Sequence, residues 1–258
     1  MRRFETDSPV PRLSAIIIAH NEAANLPGCL ASLTFCDEIV VVDGGSSDGT
    51  AAIAQKAGAR VVSKPDFAGF GAQKQAALDA AHGSWVLSID ADERVPDALA
   101  GEIRATIDRP AHDGYRINRK TSFLGKYLRH GGWYPDRVLR LARREAARFS
   151  DDPVHERLDV SGSVGDLASD MIHLSYQTVD DVLAKQRRYA LLSAQVRRER
   201  GARGGLGAAL ARACFTFVKH YIVQLGALDG AHGFVAAAAK SQETFWRYLA
   251  AGWDERSP

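Results

Sequence analysis

The sequence predicts an α/β protein: an open, mostly parallel sheet flanked by helices, with a C-terminal helical extension. Two observations lead there. Four short apolar runs alternate with helix-like segments between residues 13 and 89, and each run is continuously hydrophobic, as parallel strands covered on both faces are. From Thr178 the chain reads as helix almost throughout. A βαβαβαβ order implies right-handed crossovers within one open sheet.

The elements follow in order. "LSAIIIA", Leu13–Ala19, is short, apolar and β-branched, hence a strand. Residues 23–33 have helical character. "EIVVVD", Glu38–Asp43, is a second strand and runs into "GGSSDGT", a turn that also supplies a helix N-cap. An alanine-rich helix over 48–58 ends on Gly58. Arg60–Ser63 is a third strand, 71–82 a helix closed by Gly83, and 84–89 a fourth strand. After Asp113 the rhythm breaks. "GYRINRKTSFLGKYLRHGGWYPDRVLRLARRE" suggests a strand, a glycine-rich loop and another strand. The helical tail is strongly apolar over 206–251, is interrupted at "GALDGAHG", and is preceded by the expected linker "RRERGAR". The expected division is a sheet domain over 12–176 and a helical region over 177–252.

Bulk properties narrow the class. A length of 258 residues suits one large domain or one domain with an appendage. Hydrophobic residues at 46% supply a sizeable core, and a net charge of +2 gives no footprint for nucleic acid. Cys29, Cys36 and Cys214 form no CxxC pair, so neither a disulfide framework nor a zinc site is expected, and a reducing cytoplasmic setting fits. "MRRFETDSPVPRL" has no apolar core of a signal peptide. The chain has no uninterrupted apolar run of about 18 residues, so no transmembrane helix is predicted.

In an open parallel sheet, ligands bind beyond the carboxyl ends of the strands. Those positions hold His20, Asn21 and Glu22 after the first strand, Asp43 after the second, and Asp90, Ala91, Asp92 and Glu93 after the fourth. Asp90 and Asp92 lie two apart; in an extended segment their side chains point the same way. Two convergent carboxylates suit a hard divalent cation, Mg²⁺ or Mn²⁺, that leaves positions for substrate phosphates. The plainer alternative is a helix cap, a role expected of Glu93 before Pro96.

The segments "SAIIIAHNEAANLPGCLASL", "DEIVVVDGGSSDGT" and "GSWVLSIDADE" together resemble the signature of family 2 inverting glycosyltransferases, which have the GT-A fold. "GGWYPDRVLRL", "DPVHERL" and "LDGAHGF" resemble the lipopolysaccharide-core β-1,4-glucosyltransferase subgroup. The resemblance implies a UDP-sugar donor. It assigns Ala19, His20, Asn21 and Glu22 to a nucleotide-contacting loop, and Asp43 to the uracil edge. Gly44 stands where many members carry a second acid. Lys74 matches a basic position before the DxD strand, although Gln75 follows it where Asn is common. Asp90, Ala91 and Asp92 match the DxD, with Asp92 the more direct metal ligand and Asp90 on the ribose or the metal.

Inverting transfer is a single displacement in which the acceptor hydroxyl needs a base on a different segment. The subgroup resemblance points to Glu156, beside His155, as that base, with Asp136 of "WYPDR" as runner-up. Trp133, Tyr134, Arg137 and Arg140 are open between sugar or phosphate contacts and ordinary core or solvated roles. His173 either sits by the diphosphate or is a satisfied core histidine, the second being the expectation.

The tail interleaves Phe215, Phe217, Tyr221, Ile222, Phe234 and Trp246 with Arg197, Arg198, Arg212 and Lys219. Such a pattern either seats a helix on an anionic bilayer or packs on the sheet domain or a second subunit. The expectation is a peripheral place on the cytoplasmic face of the inner membrane. The predicted activity is therefore metal-assisted transfer of a hexose, glucose by resemblance, from a UDP-sugar to a glycolipid or polysaccharide acceptor. The competing readings are a nucleotidyltransferase, whose expected Gly-rich loop is replaced here by "AHNEAANL", and a non-catalytic sugar-nucleotide or glycan-binding module.

Overall fold

A computed structural model of the chain describes residues 12–66, 69–150, 156–202 and 204–253. The N-terminal segment, Pro153, His155 and Arg203 lie outside the described residues. Two compact units emerge. One comprises the chain to Asn118 together with Arg137–Met171; the other comprises Arg119–Asp136 and the chain from Ile172.

The early strands form as the sequence predicts: β1 Leu13–Ala19, β2 Glu38–Asp43, β3 Arg60–Ser63 and β4 Trp85–Ser88. They are joined by α1 Leu26–Ala31, α2 Thr50–Lys56 and α3 Phe70–Ala80. Helix α1 is shorter than predicted because the amides of Asn25 and Leu26 both bond the Glu22 carbonyl, closing a turn first. Next come β5 Glu93–Arg94, α4 Asp97–Asp108, β6 Gly114–Phe123, β7 Lys126–Tyr127 and β8 Asp136–Arg143. A short 3-10 turn leads into β9 Ala147–Phe149, and β10 Leu158–Val160 and β11 Val164–Tyr176 follow.

Among the described residues, the main sheet has nine strands in the order β3-β2-β1-β4-β8-β6-β11-β5, with β7 paired to β6. Strands β3, β2, β1 and β4 are mutually parallel, and β8 runs antiparallel to β4. The sheet is therefore mixed, built on a parallel core. Alternate residues of the parallel strands enter opposite faces: Ile17, Val41 and Leu87 join one apolar cluster, and Ile16, Val40, Val42 and Val86 the other. The double coverage explains why these runs are continuously hydrophobic. Register brings the strand ends to one edge, with Ala19 opposite Asp43 and the Ile89 amide bonded to the Ile16 carbonyl at 3.1 Å.

The second unit is mainly helical. Helix α5, Val179–Glu199, opens on a capping box in which Thr178 and Asp181 each satisfy the other's backbone amide. It takes in the first three residues, Arg197–Glu199, of the stretch expected to be a linker. Helix α6, Leu206–Val218, continues as a π-helical stretch Lys219–Val223, and a 3-10 turn Gly226–Asp229 precedes α7, Ala231–Trp253. The predicted interruption at "GALDGAHG" is this turn. No uninterrupted apolar run of about 18 residues is present, yet one helical segment is apolar on average over such a length. Residues Leu206–Val223 are long and apolar enough to cross a bilayer, because Arg212 and Lys219 interrupt the run without making it polar on average.

Gly71 is required by a close approach. A Cβ on Gly71, in the first turn of α3, would lie 2.3 Å from the Ser150 carbonyl oxygen, whereas one on Gly101 of α4 would meet nothing within 4 Å. Gly71→Ala is expected to lower stability by about 1–3 kcal/mol through overpacking. Gly101→Ala is expected to raise it by about 0.5–1 kcal/mol through helix propensity. Urea unfolding checks both; equal effects would contradict the close approach.

Candidate active site

The site is built from loops at the carboxyl ends of β1, β2 and β4. After β1, His20 is exposed and its Nδ1 lies 3.1 Å from the Gly44 carbonyl. Asn21 adopts φ 56°, a left-handed conformation that asparagine tolerates better than most residues. Its amide donates to Ser46 Oγ and its Oδ1 accepts from the Ser47 amide, both at 2.9 Å, while the Glu22 amide donates to Thr50 Oγ1 at 2.8 Å. These bonds stitch the first nucleotide-loop candidate to the turn after β2. The buried Asp43 carboxylate accepts from the amides of Gly45 and Ser46 at 3.2 Å, folding the glycine-serine turn around itself. At Gly44 a Cβ would press on Gln73 Nε2 at 3.1 Å, so the second acid of many relatives has little room here.

The Asp90-Ala91-Asp92 segment differs from the extended form expected of it. The Glu93 amide bonds the Asp90 carbonyl at 2.9 Å, and Glu93 Oε2 accepts from the Asp90 amide at 2.8 Å, so the segment is a closed turn. The two-residue alternation of a strand therefore does not align Asp90 with Asp92. Arg94 fastens the turn from below, donating to the carbonyls of Ala91, Glu93 and Asn25. The buried Cys29 thiol faces the Asp90 carbonyl, and burial pushes it up to about 12.

Glu93 is not the helix cap it was expected to be. Its side chain is fully buried and pairs with Arg140 at 2.6 Å; Pro96 opens α4 without a side-chain cap. Arg140, open between phosphate contact and solvated arginine in the sequence, is a core residue. Its Nη2 also holds Asp90 Oδ2 at 2.6 Å. Asp90 Oδ1 lies 3.1 Å from Lys74 Nζ, which lies 3.2 Å from Glu156 Oε1. The result is a chain of alternating charge: Glu93, Arg140, Asp90, Lys74, Glu156. Side-chain exposure is 0% at Glu93 and 7% at Arg140 but 30% at Asp90 and 22% at Glu156, so the chain runs from the core to an accessible edge.

Burial alone would raise the Asp90 carboxyl; the Arg140 guanidinium and the Lys74 ammonium outweigh it and hold the group well below the usual carboxylate range. Burial would likewise weaken Arg140's hold on its proton, and Asp90 and Glu93 reverse that.

Other predicted positions fall elsewhere. Gln75 does not reach a ligand position: its Oε1 accepts from the Phe149 amide at 2.9 Å and its Nε2 donates to Asp79. Within the second unit, Asp136 pairs with Arg119 at 2.7 Å, and Trp133 packs on Phe123 and Tyr176. Arg137 pairs with Asp166, and His173 meets Thr121 Oγ1 at 3.2 Å, as a satisfied histidine does. Glu93 is the site residue the sequence reading misassigned. The clue was Arg140 itself, a charge set between Leu139 and Leu141 in an apolar strand.

An acid-bearing loop edge on a parallel α/β core is the layout that the resemblance to GT-A nucleotide-sugar transferases leads one to expect. Residues 14–158 match the model of Glycosyl transferase family 2. The lipopolysaccharide core biosynthesis glycosyltransferase LpsC of Rhizobium meliloti (strain 1021) is 37% identical over 206 residues, covering 74% of this chain and 73% of that protein. An uncharacterized glycosyltransferase of Rickettsia felis is 28% identical over 192 residues, covering 69% and 68%. The crystal structure of S. aureus TarS 1-349 in complex with UDP shares the fold, with a TM-score of 0.50 and 18% identity, over 72% of this chain and 65% of that one. This chain thus spans less than two-thirds of that structure. The chain belongs to glycosyl transferase family 2 and is a glycosyltransferase.

Removing one member of the buried charge chain strands the others. Arg140→Leu is expected to cost about 3–5 kcal/mol, because Glu93 and Asp90 lose their shared cation. Glu93→Gln in the Arg140→Leu background should recover part of that loss in urea unfolding. No recovery would show that Arg140 acts through packing alone.

Proposed function

We propose that this glycosyltransferase moves a hexose, glucose by resemblance, from a UDP-sugar to a glycolipid or lipopolysaccharide-core acceptor with inversion, Glu156 serving as the general base. The observation that carries the reading is Lys74, which lies 3.1 Å from Asp90 and 3.2 Å from Glu156 and so holds a second carboxylate beside the DxD turn from a different segment. A single in-line displacement needs a base on a segment other than the one that holds the diphosphate. The acceptor oxygen bonds the anomeric carbon, its proton passes to the Glu156 carboxylate, and the bond to the UDP oxygen breaks with its electron pair leaving on the diphosphate.

Donor binding is assigned to the loop Ala19–Glu22 and to Asp43. Among the described residues no group of three His, Cys, Asp or Glu side chains gathers to hold a metal by itself. The donor set nevertheless suits Mg²⁺ or Mn²⁺, which are commonly held by one or two carboxylates plus substrate phosphates. Asp92 is assigned as the main ligand by the DxD resemblance; each Asp90 oxygen faces a cationic side chain. When bound, the cation supplies Lewis-acid stabilisation of the charge growing on the departing UDP. Lys74 can serve the same charge through its ammonium.

Relatives support the acceptor class: LpsC is named for lipopolysaccharide core biosynthesis. Asp136, the other base candidate, pairs with Arg119 and is not part of the charge chain that reaches Asp90.

Glu156→Gln should reduce transfer by about 10²–10⁴-fold while leaving UDP-sugar binding by calorimetry unchanged. Near-normal turnover would remove Glu156 from this role. UDP-sugar binding without acceptor-dependent UDP release in the unsubstituted protein would favour the non-catalytic module instead.

A further inference from the structure

We propose that α6 and α7 seat the second unit on an anionic lipid bilayer, lying in the interface plane rather than crossing it. The inference stands on the surface of these two helices and is independent of which sugar or acceptor the enzyme uses.

Helix α6 and its π-helical continuation have two faces. Ala209 and Ala213 are buried, and the helix is tied along that side to α7: Ser241 Oγ donates to the Ala213 carbonyl at 2.8 Å, and Thr216 meets Thr244. The other face carries Leu206, Leu210, Val218 and Ile222 on a four-residue repeat, with Phe215 beside them, all exposed. Phe215 is 61% exposed and Ile222 60%. On α7, Val235, Trp246 and Trp253 recur on one helical face and are exposed as well. Isolated exposed apolar residues are ordinary, but rows of them on adjacent helices mark a docking surface.

Charge selects the partner. Residues 206–228 contain no Asp or Glu, while Arg212 and Lys219 are exposed at one edge of the apolar arc of α6. Two copies of this face would bring like charges together, whereas anionic headgroups would neutralise them. Two exposed tryptophans fit the same partner, since an indole is apolar in its body and polar at its N–H, the pattern favoured at the membrane–water interface.

Length and composition alone would let Leu206–Val223 span a bilayer. Its ties argue for an in-plane position. Beyond its side-on bonds to α7, the segment is followed by Asp229, which is buried. Its carboxylate accepts from the amides of Arg129 and His130 at 3.0 and 2.8 Å, and its carbonyl accepts from Lys126 Nζ at 2.7 Å. A spanning helix would have to shed these bonds within the unit.

The test is vesicle flotation of the full chain at low and high salt, with sedimentation analysis in parallel. The protein is expected to float with phosphatidylglycerol-containing vesicles and not with pure phosphatidylcholine, and to be released by alkaline carbonate. Phe215→Glu with Ile222→Glu should lower partitioning more than about tenfold with the melting curve unchanged, and Arg212→Gln with Lys219→Gln should do the same to the salt-sensitive part. Three results would overturn the proposal: no salt-sensitive flotation, retention after carbonate treatment, or a stable dimer in solution that the Phe215→Glu and Ile222→Glu pair dissociates while flotation is absent.

Discussion

The candidate site depends on one arrangement: five charged side chains of alternating sign, from the fully buried Glu93 through Arg140, Asp90 and Lys74 to Glu156. Burying an unpaired charge is strongly unfavourable, so Asp90 and Arg140 are kept ionised by the opposite charges beside them. The chain also joins parts of the fold distant in sequence. Glu93 sits in β5, Arg140 in β8, Asp90 after β4, Lys74 in α3, and Glu156 just before β10. The antiparallel pairing of β8 on β4, with Leu141 opposite Leu87, is what delivers Arg140 to the Asp90 turn. Fold and chemistry are thus held by the same contacts, and a change at any link acts on both.

The backbone around the chain is shaped to keep those distances short. Gly71 lets the first turn of α3 approach the Ser150 carbonyl, and one turn further on Lys74 faces Glu156. Gln75 reinforces that approach by accepting from the Phe149 amide. A residue that looked like a departure from the family pattern therefore serves to position a helix. The Asp90 turn is fixed from three sides, by Glu93, by the Arg94 fork and by the Cys29 thiol. On the neighbouring edge, Asn21 and Asp43 do the equivalent for the loops assigned to the nucleotide. Rigid placement of this kind is how a static scaffold lowers a barrier: little needs to reorganise when charge develops.

Much of this was legible in the sequence because it is local. Continuous β-branched runs declared the parallel strands to within a residue or two, and the acids after "AIIIA", "IVVV" and "WVLSI" pointed to the sheet edge where the candidate site lies. What stayed hidden was non-local. Strand β11 mixes polar and apolar residues without clear alternation, since its burial varies irregularly along thirteen residues. Glu93 read as a cap because nothing near it reveals a partner 47 positions later. The DxD read as extended because its turn is closed by that same Glu93. Ion pairs across the sheet are set by topology, and topology is what a linear pattern shows least.

Arg140 and Lys74 together keep Asp90 ionised inside the site. Carbon-13 NMR of the side-chain carboxyls, titrated through acid, reads this directly. The Asp90 signal is expected to stay at its ionised position through the range near pH 4 where ordinary carboxylates titrate, and to move only well below it, where the stability that a depressed carboxyl contributes is lost as pH falls. An Asp90 midpoint in the ordinary range, or no upward movement of that midpoint in Lys74→Met, would contradict the charge chain on which the proposed site rests.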